Sequence, residues 1–386
     1  MFKTLYTYIP FLFLVLLFLS YVLPAKFKTR GQAIWLMVLL FGCAKFFFFQ
    51  HLGGDAFAPE LPAKVIWFWD WMYSGAVILM TLALAWRMGP MLVRGLVRRL
   101  RGVVEEPPPP ACALFVWRWI LPICAYAAAA IGIWNGVKLP KIVEYEVRSP
   151  NVSDELDGYR ILQLTDLHVS SAAPRERTQA IVEMANAANP DLIVVTGDIV
   201  DGYVCDQRKN VEPLRKLVAK DGVLWITGNH EYYWNWYKWS ALYDQWGFRF
   251  LNEEWVEPHP GLCVAGLDDM AKVQMGYTAE FCDVKEFVKT LPKDKFKVLL
   301  QHRPCAPFEN EPGGGVDLQL SGHTHGGVAP GMDLLVKRAN GGFVRGLYSL
   351  LTGDELYVST GAGQWAGFPI RFFDDPEIAI FTLRKK

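Results

Sequence analysis

The sequence has no cysteines in C-x-x-C spacing, which argues against a thiolate zinc site. It has no net charge either, with 39 Lys and Arg against 39 Asp and Glu, so its balance gives no reason to expect a nucleic-acid partner. No internal repeat is visible. Polar residues are too few for a largely disordered chain, since 52% of the residues are apolar and 14% aromatic. Of the cysteines, Cys43, Cys112 and Cys124 fall in the apolar first third, and Cys205, Cys263, Cys282 and Cys305 in the remainder. In an oxidising compartment the latter set permits disulfides, in pairings that spacing cannot rank.

Charge is also scarce inside four apolar runs near the start, at about 5–23, 33–49, 65–86 and 114–134. Each is long enough for a helix across a hydrocarbon core of about 30 Å, and none keeps the polar face of a soluble surface helix. They predict a multi-pass helical membrane region over 1–137, followed by a soluble α/β domain over 138–386. Lys45 and Asp70 lie near the ends of their spans, where snorkelling to the interface is expected. Lys3 precedes the first span as in a signal peptide, but no small-x-small cleavage site follows, so this span reads as an anchor.

The connections set the orientation. Lys26, Lys28 and Arg30 follow the first span and Arg87, Arg94, Arg98, Arg99 and Arg101 the third, whereas the intervening connection carries only Lys64. Basic loops stay in the cytoplasm, which puts both termini and the soluble domain on the periplasmic side of the inner membrane. "MLVRGLVRRLRG" reads as a charged loop or as a helix lying on an anionic leaflet, and the four prolines of "RGVVEEPPPPA" mark a linker.

The soluble part repeats one arrangement, a short buried-strand pattern followed by a polar turn. "RILQLTDLH" ends on Asp166 and His168, "DLIVVTGDIVD" on Asp198, and "VLWITGNHE" on Asn229, His230 and Glu231. "KVLLQHRP" then delivers His302, and "VDLQLSGHTH" delivers His323 and His325. Helical patterns intervene, with Ile181, Met184, Ala185 and Ala188 on one face, and Val284, Phe287, Val288 and Leu291 on another. Strand alternating with helix predicts a mainly parallel sheet whose binding crevice lies at the strands' carboxyl ends, where every polar cluster falls. Oxygen and imidazole donors suit Mn, Fe, Zn or a similar ion. His323 and His325, read as i and i+2 of an extended segment, would point the same way and each reach one of two ions about 4 Å apart.

The series D-x-H, G-D, G-N-H-E, an isolated His and G-H-T-H, each after a strand, resembles the calcineurin-like metallophosphoesterases. The stretches "NPDLIVVTGDIVDG", "GNHEYY", "DLQLSGHTHGG" and "FPIRFFDDPEIAIFTL" look like their bacterial membrane-associated branch, similar to YaeI and YkuE. The resemblance covers roughly residues 143–383 and implies a four-layer α/β/β/α sandwich, with "ELYVSTGAG" and "EIAIFTL" contributing strands to its second sheet. It also implies two divalent metal ions as cofactors. Asp166, His168 and His325 would hold the first, Asn229, His302 and His323 the second, and Asp198 would bridge both. No position of that pattern is replaced.

Two such ions lower the pKa of a shared water enough to supply hydroxide near neutral pH, and in-line attack on phosphorus then needs little further covalent help. The expectation is therefore a membrane-anchored phosphoesterase acting on a phosphodiester or pyrophosphate, with a lipid-linked substrate favoured by tethering beside the bilayer. The alternatives are a phosphomonoesterase or a non-catalytic membrane scaffold that binds a phosphorylated ligand. His230 is expected to protonate or hydrogen-bond the leaving oxygen, and Glu231 and Asp201 to orient a ligand histidine. The dense aromatics Trp234, Trp236, Trp239 and Trp246 read either as local packing or as a surface dipping into the bilayer interface.

Overall fold

A computed structural model describes residues 38, 40–101, 119–280, 282–305, 315–350, 353–367, 369–372 and 374–386. The chain forms two compact units, Met1–Trp134 and Asn135–Lys386.

In the first unit the run at 65–86 lies in a 39-residue helix, Ala63–Arg101. At about 1.5 Å per residue it is roughly 58 Å long, nearly twice a hydrocarbon core. Arg87 to Arg101 therefore sit on a continuing helix and not in a loop, although Pro90 within it has no N–H to give to the Trp86 carbonyl. The run at 33–49 contributes the short helix Lys45–Leu52, and that at 114–134 the helix Leu121–Val137. Among the described residues only Ala63–Leu82 is both long and apolar enough to cross a membrane. The run at 5–23, the proline-rich linker and residues 114–118 lie outside the described residues.

Small residues bring these helices together. A Cβ on Gly75 would collide with the ring of Tyr126, whose carbonyl accepts a hydrogen bond from Trp71 Nε1 at 2.8 Å. Lys45 and Asp70 do not snorkel. They are buried and paired, with Nζ 2.6 Å from Oδ1, and Phe46, Phe49 and Tyr73 surround the ammonium. Each charge is the other's substitute for water, so losing one strands its partner. Lys45→Met is expected to cost about 3–5 kcal/mol, seen as a lower Tm in detergent, and Lys45→Met with Asp70→Leu to recover most of that loss. An unchanged Tm for the single variant would show that the pair stabilises nothing.

The second unit holds two six-stranded mixed sheets rather than one mainly parallel sheet. The first contains β1 (Lys141–Ser149), β2 (Arg160–Leu164), β3 (Leu192–Thr196), β4 (Val223–Ile226), β5 (Arg249–Phe250) and β12 (Glu377–Lys385), in the order β1-β12-β2-β3-β4-β5. The second contains β6 (Glu254–His259), β7 (Leu262–Gly266), β8 (Phe296–Leu300), β9 (Leu318–Ser321), β10 (Gly346–Ser349) and β11 (Glu355–Val358), in the order β10-β11-β9-β8-β7-β6. β2 to β5 are parallel to one another, and so are β7, β8, β9 and β11.

Strand alternation builds the layers. In β3, Leu192 and Val194 enter the core between the sheets, and Ile193 and Val195 face the helix Arg175–Ala187 through Ile181, Val182 and Ala185. In β7, Leu262 and Val264 face the first sheet, whereas Cys263 and Ala265 pack with Val284 and Val288 of the helix Val284–Lys289. "EIAIFTL" belongs to the first sheet and not the second, pairing antiparallel with β2 and parallel with β1. Its apolar residues alternate to satisfy a core on either face, so the pattern alone could not choose the sheet. All six described cysteines are free thiols.

Candidate metal centre

Five strands, parallel within their own sheets, end in turns that carry the donors. β2, β3 and β4 of the first sheet deliver Asp166 and His168, Asp198, and Asn229, while β8 and β9 of the second deliver His302, and His323 and His325. The turns are tight in a way glycine makes possible. A Cβ on Gly228 would collide with the Asp198 carboxylate, and one on Gly322 with those of Asp166 and Thr165 Oγ1. The donors themselves are in the left-handed region, with φ of 50° at Asp166, 42° at His168, 52° at Asp198, 70° at His323 and 47° at His325. Such conformations cost about 1–3 kcal/mol each and concentrate where function fixes geometry.

Two groups of donors result. Asp166, His168 and His325 form one, and Asp198, His302 and His323 the other; His168, Asp198 and His230 also lie within reach of a shared ion. In the first, His168 Nε2 is 3.1 Å from His325 Nε2 and 4.0 Å from Asp166 Oδ1, and His325 Nε2 is 3.5 Å from the same oxygen. In the second, His302 Nε2 lies 3.2 Å from Asp198 Oδ2. That oxygen is also 3.8 Å from His168 Nε2, so Asp198 stands between the groups.

The His-x-His segment reaches both, but not as an extended strand. The backbone turns left-handed at His323, right-handed at Thr324 and left-handed again at His325, so the two rings diverge into different groups. Thr324 is buried and donates to the Val344 carbonyl at 2.6 Å, which anchors the turn.

The donor chemistry fits divalent cations. His302 Nδ1 faces the Thr196 carbonyl at 2.8 Å and His168 Nδ1 faces the Asp201 carboxylate at 3.2 Å, so each ring donates from Nδ1 and turns Nε2 inward. Asn229 Oδ1 is buried without a hydrogen-bond partner, an orphan a cation would satisfy. Burial opposes charge on His323 and His325, and with help from His302 and His168 holds both well below the usual imidazole range, leaving neutral rings. Burial opposes the Asp198 charge as well, but His302 and His230 outweigh it and keep its carboxyl well below normal. The same pairing, against burial, pushes His302 up to about 10.

Asp201 is where the sequence places an orienting group, and it serves two rings. Its carboxylate takes His168 Nδ1 at 3.2 Å and His230 Nδ1 at 2.5 Å, fixing the tautomer and direction of both. Burial works against its ionisation, yet these two histidines bring it down to about 2. With Nδ1 so held, His230 aims Nε2 toward Asp198 Oδ2, 4.0 Å away. Burial disfavours the imidazolium, but Asp198 and Asp201 raise His230 to about 9.

Glu231 does not orient a histidine. Its carboxylate accepts the backbone N–H groups of Gly228, Asp198 and Ile199 at 2.7, 2.9 and 2.7 Å, tying the turn after β4 to the turn after β3. Trp234 and Trp239 are buried, Trp239 completely, and its Nε1 donates to the Gly202 carbonyl. They pack the helix Trp236–Gln245 and its approach and do not line a bilayer surface.

The sequence reading missed Tyr233 and Trp365, whose rings flank His230 at 5.2 and 5.6 Å between centroids. It also missed Arg371, buried with Nη1 and Nη2 on the Thr360 and Gly363 carbonyls and 3.3 Å from His325 Nδ1. The signal for Arg371 was present, since a lone Arg stands among the apolar residues of "FPIRFF".

A family profile described as calcineurin-like phosphoesterase matches residues 159–327. A transmembrane protein with a metallophosphoesterase domain from Danio rerio is 30% identical over 273 residues, 67% of this chain and 60% of that protein. This chain thus spans less than two thirds of that relative's length. The uncharacterized metallophosphoesterase YkuE of Bacillus subtilis is 31% identical over 252 residues, 62% of this chain and 84% of YkuE. Among solved structures, a dimetal phosphatase from Danio rerio covers 55% of this chain and 90% of its own at 12% identity, with a TM-score of 0.34.

Proposed function

The chain belongs to the calcineurin-like metallophosphoesterases, and on that premise we propose that it is a membrane-anchored hydrolase of a phosphodiester or pyrophosphate, carried by a lipid. The observation that carries the catalytic part is Asp198 standing between two donor groups delivered by five strands. When bound, two divalent ions supply a water of lowered pKa and neutralise the charge of phosphoryl transfer. Asp166, His168 and His325 would hold one, Asn229, His302 and His323 the other, and Asp198 both. His230, steered by Asp201, would give its Nε2 proton to the leaving oxygen.

The membrane part is supported by an inside-out pattern in the first unit. Its charged pair is buried, whereas Phe47, Phe68, Ile123, Ile131 and Trp134 are exposed. Apolar side chains facing outward suit lipid, and the Danio rerio relative is itself named a transmembrane protein. Arg94 to Arg101 at the end of the long helix favour a cytoplasmic location for that end, and a return crossing by the apolar run at 114–134 would put the catalytic unit outside the cytoplasm. A phosphatase reporter fused after Lys386 should then be active and a cytoplasmic reporter inactive; the reverse pattern would overturn the orientation.

The lipid substrate is supported by tethering, which raises the local concentration of a headgroup phosphate. The helix Met332–Ala339, soon after the His325 turn, adds to this: it buries no residue, exposes Leu334 and Leu335, and carries Lys337 and Arg338. The test is ³¹P NMR of detergent-solubilised protein with Mn²⁺ and a bacterial lipid extract. Loss of a diester or pyrophosphate signal with growth of a monoester is expected. An unchanged spectrum alongside turnover of a soluble diester would remove the lipid from the proposal.

A further inference from the structure

Arg303 follows His302 directly in the turn after β8, and among the described residues its guanidinium is bonded through one nitrogen. Nε is bound to Asp269 Oδ2 at 2.8 Å, and that carboxylate is almost completely buried. Asp269 is itself held, accepting from Ala271 N through Oδ1 at 2.8 Å and donating its own N–H to Thr227 Oγ1 at 3.2 Å. Thr227 stands two residues before Asn229, so Arg303 is braced against the turn that carries a candidate ligand. The side chain keeps 28% of its surface exposed. Among the described residues Nη1 and Nη2 have no partner, in contrast to Arg371, where both are taken by carbonyls.

With part of the Arg303 side chain exposed, its terminal donors can hold water, which an anion can replace without leaving a donor unmade. Binding through Nε alone fixes the plane of the guanidinium and presents its forked end elsewhere. The place of that end follows from the chain: Arg303 adjoins the candidate ligand His302, and its brace Asp269 is bonded to Thr227, just before the turn that carries Asn229. Tyr233, 39% exposed, closes the short helix that Asn229 opens, with its hydroxyl 3.4 Å from Asn229 Nδ2 and its ring 5.2 Å from that of His230.

We propose that Arg303 is a substrate-binding residue whose two terminal nitrogens take anionic oxygens of the substrate phosphate, with Asp269 as its positioning residue. This rests on the phosphoesterase reading above. It assigns the rim beside His302 and His323 to phosphate recognition by a forked cation, a geometry that matches two oxygens of one phosphate and that lysine cannot reproduce. The oxygens come from the scissile phosphate or from a second phosphate joined to it, and the two sources respond differently to a change of substrate.

The test uses the full chain in detergent with Mn²⁺, comparing wild type, Arg303→Ala and Arg303→Lys. Equilibrium dialysis gives bound Mn²⁺, calorimetry the Kd for inorganic phosphate, and steady-state kinetics KM and kcat on p-nitrophenyl phosphate, its bis ester and pyrophosphate. Arg303→Ala is expected to weaken phosphate binding and raise KM about 10- to 100-fold, as for loss of charge-assisted hydrogen bonds, with Mn²⁺ stoichiometry unchanged. Arg303→Lys, which keeps the charge and the Asp269 pair, should lie between. A loss that is larger on pyrophosphate places the grip on a second phosphate, and an equal loss places it on the scissile one. Unchanged phosphate affinity in a variant that still binds Mn²⁺ overturns the proposal, and if Arg303→Ala does not fold, an unchanged Arg303→Lys does the same. A wild-type protein that binds no Mn²⁺ and hydrolyses none of the three overturns the phosphoesterase reading instead.

Discussion

Asp198→Asn should abolish hydrolysis while leaving the fold in place. The two carboxylate oxygens have separate duties. Oδ1 accepts the backbone N–H of His230 at 2.8 Å, and an amide oxygen can keep that bond. Oδ2 lies 3.2 Å from His302 Nε2 and 3.8 Å from His168 Nε2, between the two donor groups, and there the amide would turn an NH₂ toward sites that must attract cations. The expected loss in kcat/KM is at least about 10³-fold, or about 4 kcal/mol at 1.36 kcal/mol per decade. Bound Mn²⁺ should fall below the wild-type stoichiometry, with little change in the far-ultraviolet circular dichroism. A variant that keeps full activity would remove Asp198 from the centre of the chemistry.

His230→Ala should show a loss that depends on the leaving group. The ring is buried beside Asn229 without belonging to either of the groups that hold Asp166 or His323, and Asp201 clamps its Nδ1 at 2.5 Å. What remains free is one N–H in reach of the reacting centre, the arrangement for giving a proton to a departing oxygen. For an alkyl ester, whose alkoxide leaves poorly, kcat should fall about 10²- to 10⁴-fold. For a p-nitrophenyl ester, which leaves without help, the loss should be far smaller. A plot of log kcat against leaving-group pKa should therefore be steeper for the variant than for wild type. Equal slopes would assign His230 to packing between Tyr233 and Trp365.

Much of this centre was legible because its parts are local. A run such as "DLIVVTGD" contains both the strand that fixes a direction and the turn that stops it, so the position of Asp198 at a strand's end needs no long-range information. The same holds for Asp166, His302 and His323. Reading His323 and His325 as one extended segment led to the right pair of destinations for the wrong reason, since alternation applies only while the backbone is extended and here it reverses at each histidine. Asp201 was legible as an acid near a ligand, but not as the partner of two histidines, because His230 lies 29 residues further along. Glu231 adjoins the site in sequence and yet spends its carboxylate on backbone.

The sequence by itself determined the division between an apolar first part and a strand-rich second part, and the polar residues that end the strands. These follow from composition, period and turn chemistry within windows of about ten to twenty residues. The order of the short motifs carried the resemblance to the family, and with it the candidate donors. Only the tertiary structure decided how the His-x-His backbone turns to reach two donor groups, which sheet receives "EIAIFTL", and that Lys45 and Asp70 seek each other instead of the interface. It also placed Arg303 against Asp269, bound there through Nε. The physical reason is the same throughout. A strand's pattern says that both faces are buried without saying against what, and a charge says that it needs a partner without saying which, so both choices are made by packing between residues distant in the chain.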